Sequence, residues 1–227
     1  MAVITISREF GSGGDRVAAR LCEELGYHSF GKLQITQAVE ETGMSKWNAV
    51  DYSEDNHEVQ TFLDRLFRRT ATSVQTIAWI EDPSIATRPE RADVHELAVI
   101  GIVKRAIKAA LRVDNMVIVG RGGQVLLKGA PGVLHVRLEA PLEQRVQQVT
   151  ELLKGEQKLT RIHGDLLRTA NELIANRDIA SADYIRRYYD VNWADPKLYH
   201  MVLNLGLVSV ETAVRLIILA VKAVEKP

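Results

Sequence analysis

Within ten residues, Ser7-Arg8-Glu9-Phe10-Gly11-Ser12-Gly13-Gly14-Asp15-Arg16 gathers what an anion site needs: three glycines, hydroxyls and two arginines. Glycines let backbone N–H groups approach an anion closely. A helix beginning there adds unpaired N–H groups and the positive end of its dipole. That chemistry suits phosphate, whose oxygens need several donors at once. Gly11, Ser12, Gly13, Gly14, Asp15 and Arg16 are the candidate cradle for a nucleotide polyphosphate. Two nucleotide templates can be laid on the run. The dinucleotide spacing G-x-G-x-x-G fits Gly11 and Gly13 but puts Arg16 at the third glycine. The Walker spacing G-x-x-x-x-G-K-[ST] fits Gly13 but needs Gly at Arg8, Lys at Gly14 and Ser or Thr at Asp15.

With no lysine at Gly14, another cation must meet the phosphates. Arg8 is the first candidate and Arg16 the second. Arginine grips phosphate in a bidentate way that lysine does not. A salt bridge from Arg8 to Glu9 or to a carboxylate on a neighbouring strand stands beside that reading, as does a tight turn that binds nothing. Arg121 lies between glycines directly after an apolar run, Met116 to Val119. Arg177, next to Asp178, and the pair Arg186 and Arg187 could neutralise charge on a transferred group. The bland readings are a turn arginine and solvated helix faces.

No metal-ligand spacing occurs among the histidines, and no apolar strand ends in an aspartate that would serve Mg2+. That ion would be held through phosphates and water, with Asp15 and Asp178 as outer partners. Trp47, Trp79 and Trp193 read as packing anchors.

The elements that must position these groups follow from periodicity. Val3 to Ser7, Met116 to Val119, Val133 to Leu138 and Tyr199 to Asn204 read as strands. Asp15 to Leu25 repeats Val17, Ala18, Leu21 and Leu25 at helical spacing, and Gly26 ends it. Helices are also expected over Lys32 to Thr42, Glu58 to Ser73, Val94 to Leu111, Pro141 to about Leu153, around Leu166 to Ile174, and after the cap Ser209. Strands alternating with helices imply an α/β fold with a parallel sheet covered on both faces. One domain over 1–227 is expected, with a helical substrate-binding insertion at 27–93 and a lid-like segment at 154–190.

The 227 residues carry 29 basic and 29 acidic side chains. Zero net charge gives no general attraction to a nucleic acid polymer or an anionic membrane. The opening run MAVITISREF lacks the features of a signal peptide, and the apolar stretch Ala213 to Val224 is broken by Arg215 and Lys222. A cytoplasmic location is expected. Cys22 is the one cysteine and reads as a structural thiol.

The run ITISREFGSGGDRVAARLCEELGY resembles the opening of the cytidylate-kinase-like family, a branch of the nucleoside monophosphate kinases with a P-loop kinase fold. The likeness continues in order through VIVGRGG at 117 to 123, HVRLEAPLEQRV at 135 to 146, Arg177-Asp178, and YHMVLNLGLVSVETAV at 199 to 214. It implies transfer of the γ-phosphoryl group of Mg-ATP to a nucleoside monophosphate such as CMP. Arg121 would hold the acceptor phosphate, and Arg177 would close from a lid. Against the family loop G-x-x-G-x-G-K-G-T, Gly14 stands at the lysine and Arg16 at the threonine. Where the family has an acid near residue 31, this chain reads Phe30-Gly31-Lys32. Lys32, Arg186 and Arg187 join Arg121 as candidate substrate contacts. A nucleotide-binding regulatory protein without catalysis is the alternative. The partner implied is a small nucleotide, with 45–90 the region for a homo-oligomeric contact.

Overall fold

The structure is a computed structural model that describes residues 2–31, 89–155 and 166–224. Lys32, the 45–90 region, the helices expected over Lys32 to Thr42 and Glu58 to Ser73, Trp47 and Trp79 lie outside the described residues. So do residues 32–88 of the expected insertion and 156–165 of the expected lid.

Five parallel strands form one sheet in the order β2-β3-β1-β4-β5. They are β1 (Val3–Arg8), β2 (His28–Phe30), β3 (Met116–Val119), β4 (Val133–Glu139) and β5 (Met201–Asn204). Helices connect them: α1 (Gly14–Leu25), α2 (Pro89–Val113), the short α3 (Gly123–Leu126), α4 (Leu142–Gly155), α5 (Leu166–Tyr189) and α6 (Val210–Val224). This is the α/β architecture that the alternation of strands and helices implies, and it agrees with the P-loop kinase fold that the family resemblance implies.

Alternation along β1 explains the layers. Ile4 and Ile6 join Val17 and Leu21 of α1 and Val214 and Ile217 of α6 in one core. Val3 points to the opposite face, where Val103 and Ile107 of α2 meet Ile118 and Val133. A strand covered on both sides reads as a continuous apolar run, and β1 does until Thr5 and Ser7. Those two hydroxyls are nevertheless buried, at 1% and 2% exposure, and both have partners. Thr5 Oγ1 lies 2.8 Å from His135 Nδ1, and Trp193 Nε1–H donates to Ser7 Oγ at 2.7 Å.

Three elements differ from their sequence reading. β2 has three residues with only Phe30 buried, too short to show a period. α2 begins at Pro89 itself, where a missing N–H costs nothing, so the proline starts the helix. α5 continues unbroken through Arg177 and Asp178 to Tyr189. Its apolar stripe at Ala170, Leu173 and Ile174 is resumed by Tyr184 and Ile185 against Ile100 of α2 and Trp193.

The register sets the site. Ile6 pairs with Val119 and with Val136, so β1, β3 and β4 end side by side. The loop after β1 and the turn after β3 therefore emerge next to one another, at the carboxyl edge where open α/β sheets bind ligands.

Candidate functional site: a phosphate-type loop

The loop Glu9 to Gly13 leaves β1 still bonded to β4, because Glu9 N–H donates to Leu138 O at 3.1 Å. It closes on itself through Ser12 N–H to Glu9 O at 3.2 Å. Gly13 caps α1 with φ +90°, a backbone that a side chain would strain. Gly13 O accepts from Arg16 N–H and Val17 N–H. Among the described residues, no protein acceptor meets the N–H groups of Gly11, Gly13 or Asp15. These three amides stand together at a helix start, the kind of arrangement from which anion-binding concavities are built.

Two arginines flank them. A side-chain carbon built on Gly13 would stand 3.2 Å from Arg16 Nη2, so that guanidinium lies across the loop. Arg8 Nε pairs with Asp15 Oδ1 at 3.1 Å, with Arg8 mostly covered and Asp15 exposed. Arg8 therefore forms a salt bridge to Asp15 in the first turn of α1, whereas Glu9 or a carboxylate on a neighbouring strand was the partner expected. Between the loop and Gln147, Gln148 and Glu151 of α4 opens a cleft of about 590 Å³.

A second group of residues fixes the loop from behind. Asp178 Oδ1 accepts from Phe10 N–H at 3.0 Å, while its Oδ2 pairs with Arg145 Nη1. Arg145 Nη1 also reaches Phe10 O at 3.4 Å, and its Nε lies 3.6 Å from Glu9 Oε2. Glu9 Oε2 in turn accepts from Ala140 N–H at 3.2 Å. Burial pushes the Glu9 carboxyl up, opposed by the Ala140 N–H and the Arg145 charge. Arg177 covers the Phe10 ring at 4.7 Å from its centroid. Asp178 is thus committed to the loop backbone and Arg145, not turned outward toward a metal. Among the described residues, no group of three or more His, Cys, Asp or Glu could hold an ion.

The turn after β3 is the second feature. Gly120, Arg121 and Gly122 have φ of 71°, 61° and 73° in succession. Arg121 is 4% exposed. Its carbonyl accepts from Tyr189 Oη at 3.0 Å. Arg186 and Arg187 sit in the last turn of α5, where cations suit the helix dipole. Arg186 Nη2 pairs with Asp183 at 2.7 Å on the surface, and Arg187 lies 5.7 Å from the Tyr188 ring. The fold therefore gathers Arg8, Gly11 to Arg16 and Arg177 around one loop and sets Arg121 at the neighbouring turn. The surface pairing of Arg186 and the ring contact of Arg187 lie within the C-terminal turn of α5.

A family model matches residues 3–206, most of the chain, and its description is the cytidylate kinase-like family. The chain belongs to that family. Membership supports phosphoryl transfer of the nucleotide-kinase type and nucleotide binding in general. A crystal structure of an uncharacterized protein from Eubacterium ventriosum superposes with a TM-score of 0.62 at 20% identity, covering 98% of this chain and 99% of that one. That likeness shows a shared fold over nearly the whole of both chains. Shikimate kinase from Acinetobacter baumannii, in complex with shikimate, aligns at 12% identity and a TM-score of 0.47 over 98% and 94% of the two chains. No curated protein matches the chain. No helix of the described residues is long and apolar enough to cross a membrane.

Sequence reasoning missed the roles of Arg145, Glu9, Asp178 and Tyr189. Asp178 stood out as the neighbour of Arg177 and as an outer partner for Mg2+, and Arg145 only as part of a family-like run. Nothing in local spacing says that residues from α4 and α5 meet at Phe10.

Proposed function

We propose that the chain transfers the γ-phosphoryl group of ATP to a nucleoside monophosphate, CMP-like, or to a similar small phosphorylated acceptor. One observation carries the reading: three amides that meet no protein acceptor among the described residues, at Gly11, Gly13 and Asp15, flanked by Arg8 and Arg16 where a parallel strand feeds a helix.

In this reading the amides take oxygens of the polyphosphate. Arg8 exchanges Asp15 for phosphate and supplies the charge a Walker lysine would give. Arg16 adds a second cation across Gly13. Arg121 holds the acceptor phosphate at the turn beside the loop. Arg177 neutralises charge developing on the transferred group as the 154–190 segment closes and excludes water. Lys32, Arg186 and Arg187 are substrate contacts of the closed state, and 27–93 is the insertion that receives the acceptor.

Mg2+ fits only as a phosphate- and water-held ion. Glu9 and Asp178 are occupied by Ala140 N–H, Phe10 N–H and Arg145, which leaves the exposed Asp15 to face the ion's water shell. Bound there, Mg2+ would offset phosphate charge. The protein's own groups do the remaining work, which is mostly positioning and charge stabilisation. An enzyme drawing on ATP would work in the cytoplasm. Contact between copies through 45–90 belongs to the same proposal.

Thermal unfolding with ATP, ADP, CMP and other monophosphates, with and without Mg2+, tests the reading. A ligand at a hundred times its Kd adds about 2.7 kcal/mol. For a protein of this size that is a rise of roughly 5–10 °C in Tm. ATP and ADP should give it, and Arg8→Ala should remove most of it. No shift with any nucleotide contradicts the proposal. Binding without acceptor-dependent turnover would instead make the chain a nucleotide-binding regulator, the alternative that Gly14 at the lysine position raises.

A further inference from the structure

α5 touches both halves of the site. At Asp178 it accepts the Phe10 N–H of the loop after β1. About three turns further along, roughly 16 Å at 1.5 Å per residue, its last residue reaches the turn after β3. There Tyr189 Oη donates to Arg121 O at 3.0 Å. The Tyr189 ring also fills the space above Gly122. A side-chain carbon on Gly122 would come within 2.3 Å of Tyr189 Cε2 and 2.6 Å of Cζ. Lys104 Nζ from α2 lies 4.9 Å from the centroid of the same ring.

The turn needs such a hold. Three successive left-handed residues, one of them an arginine, are a conformation that surrounding contacts must enforce. From the sheet side, Gly120 N–H donates to Ile6 O at 2.8 Å. From the helix side the hold is Tyr189. An arginine whose backbone is fixed in this way has little backbone freedom left to lose on binding.

We propose that Tyr189 is a positioning residue for Arg121, and that through it α5 sets acceptor affinity separately from donor affinity. This rests on the reading of Arg121 as the acceptor-phosphate arginine. Asp178 governs the donor loop from the middle of α5, and Tyr189 governs the acceptor turn from its end. A displacement of α5 would therefore alter both sites together, whereas a change confined to the Tyr189 hydroxyl alters one.

Tyr189→Phe isolates the hydroxyl, since the ring stays against Gly122 and Lys104. Steady-state kinetics are run with CMP, or with whichever nucleoside monophosphate the wild type turns over fastest. The expected result is a 3- to 10-fold rise in acceptor KM, with the KM for ATP within twofold and Tm within about 2 °C of wild type. Asp178→Asn should show the reverse split, with the KM for ATP rising more. An unchanged acceptor KM in Tyr189→Phe, beside an active wild type, overturns the role of Tyr189 and leaves the functional reading intact. Equal rises in both KM values with a lowered Tm also overturn it, because they indicate a general packing defect. A wild type with neither turnover nor calorimetric binding of any monophosphate removes the acceptor reading of Arg121 and this inference with it.

Discussion

The side-chain stem of Arg8 occupies the space that a side chain on Gly14 would need. A carbon built on Gly14 would lie 2.7 Å from Arg8 Cβ and 2.9 Å from Arg8 Cγ, closer than packed carbons approach. The two departures from the Walker pattern, a cation where it has glycine and glycine where it has lysine, are therefore one steric exchange. Gly14→Lys alone should fail to tighten ATP and should destabilise by about 1–3 kcal/mol, the usual cost of overpacking. Arg8→Gly combined with Gly14→Lys should recover stability and nucleotide binding relative to either single variant. Urea unfolding with ATP titration calorimetry measures both effects.

The Arg8–Asp15 pair holds the cation in place but also competes for it. Arg8→Ala should weaken ATP by about 10- to 100-fold, as for the loss of a hydrogen bond to a charged group. Arg8→Lys should restore only part of that. Asp15→Asn should tighten ATP measured without Mg2+ by up to about fivefold, since an exposed pair is worth about 0–1 kcal/mol. Calorimetry in chelator reads all three variants.

Asp178 joins the loop backbone to Arg145, so removing it should deform the site as well as weaken the fold. Asp178→Ala leaves Phe10 N–H without its acceptor and Arg145 with the more distant Glu9. The expected loss is about 2–3 kcal/mol. Asp178→Asn keeps an acceptor for Phe10 and should lose about half as much. ADP affinity should fall in the same order, measured on protein that chemical denaturation shows to be folded.

The α/β architecture was legible where residues speak locally. Val3 to Ser7 and Met116 to Val119 announce buried strands by composition, and Ile100, Val103, Ile107 and Leu111 announce a helix by spacing. β2 was not legible, since three residues held by pairing with β3 carry no period of their own. The glycine-rich loop was visible as a strand-to-helix turn, and the family likeness matched the family found. Its support was not visible: Arg145 on α4 and Asp178 on α5 meet at Phe10 only because the sheet order brings those helices together. Tyr199 read as the first residue of a strand. Instead it sits before β5, where its hydroxyl donates to Trp193 O at 2.7 Å, a contact that no periodicity encodes.

Acid should expose a buried histidine. Burial, with His200 stacked at 5.0 Å as a second cause, lowers the His135 imidazole to about 4 from an ordinary value of 6.5. The unfolded chain then takes up the proton more readily than the folded one. The stability this supplies is complete above pH 6.5 and is lost as pH falls from 6.5 to about 4, about 3 kcal/mol in full. In urea unfolding between pH 7 and 4.5, wild type should lose more stability than His135→Asn. Equal slopes would contradict the assignment.

The most direct test of the central claim is a coupled assay of ADP formation from Mg-ATP, with and without added CMP and other nucleoside monophosphates. The account predicts turnover that depends on an added monophosphate, falls by tenfold or more in Arg8→Ala, and falls likewise in Arg121→Ala. ATP consumption that ignores every monophosphate, or that survives both substitutions unchanged, would contradict it.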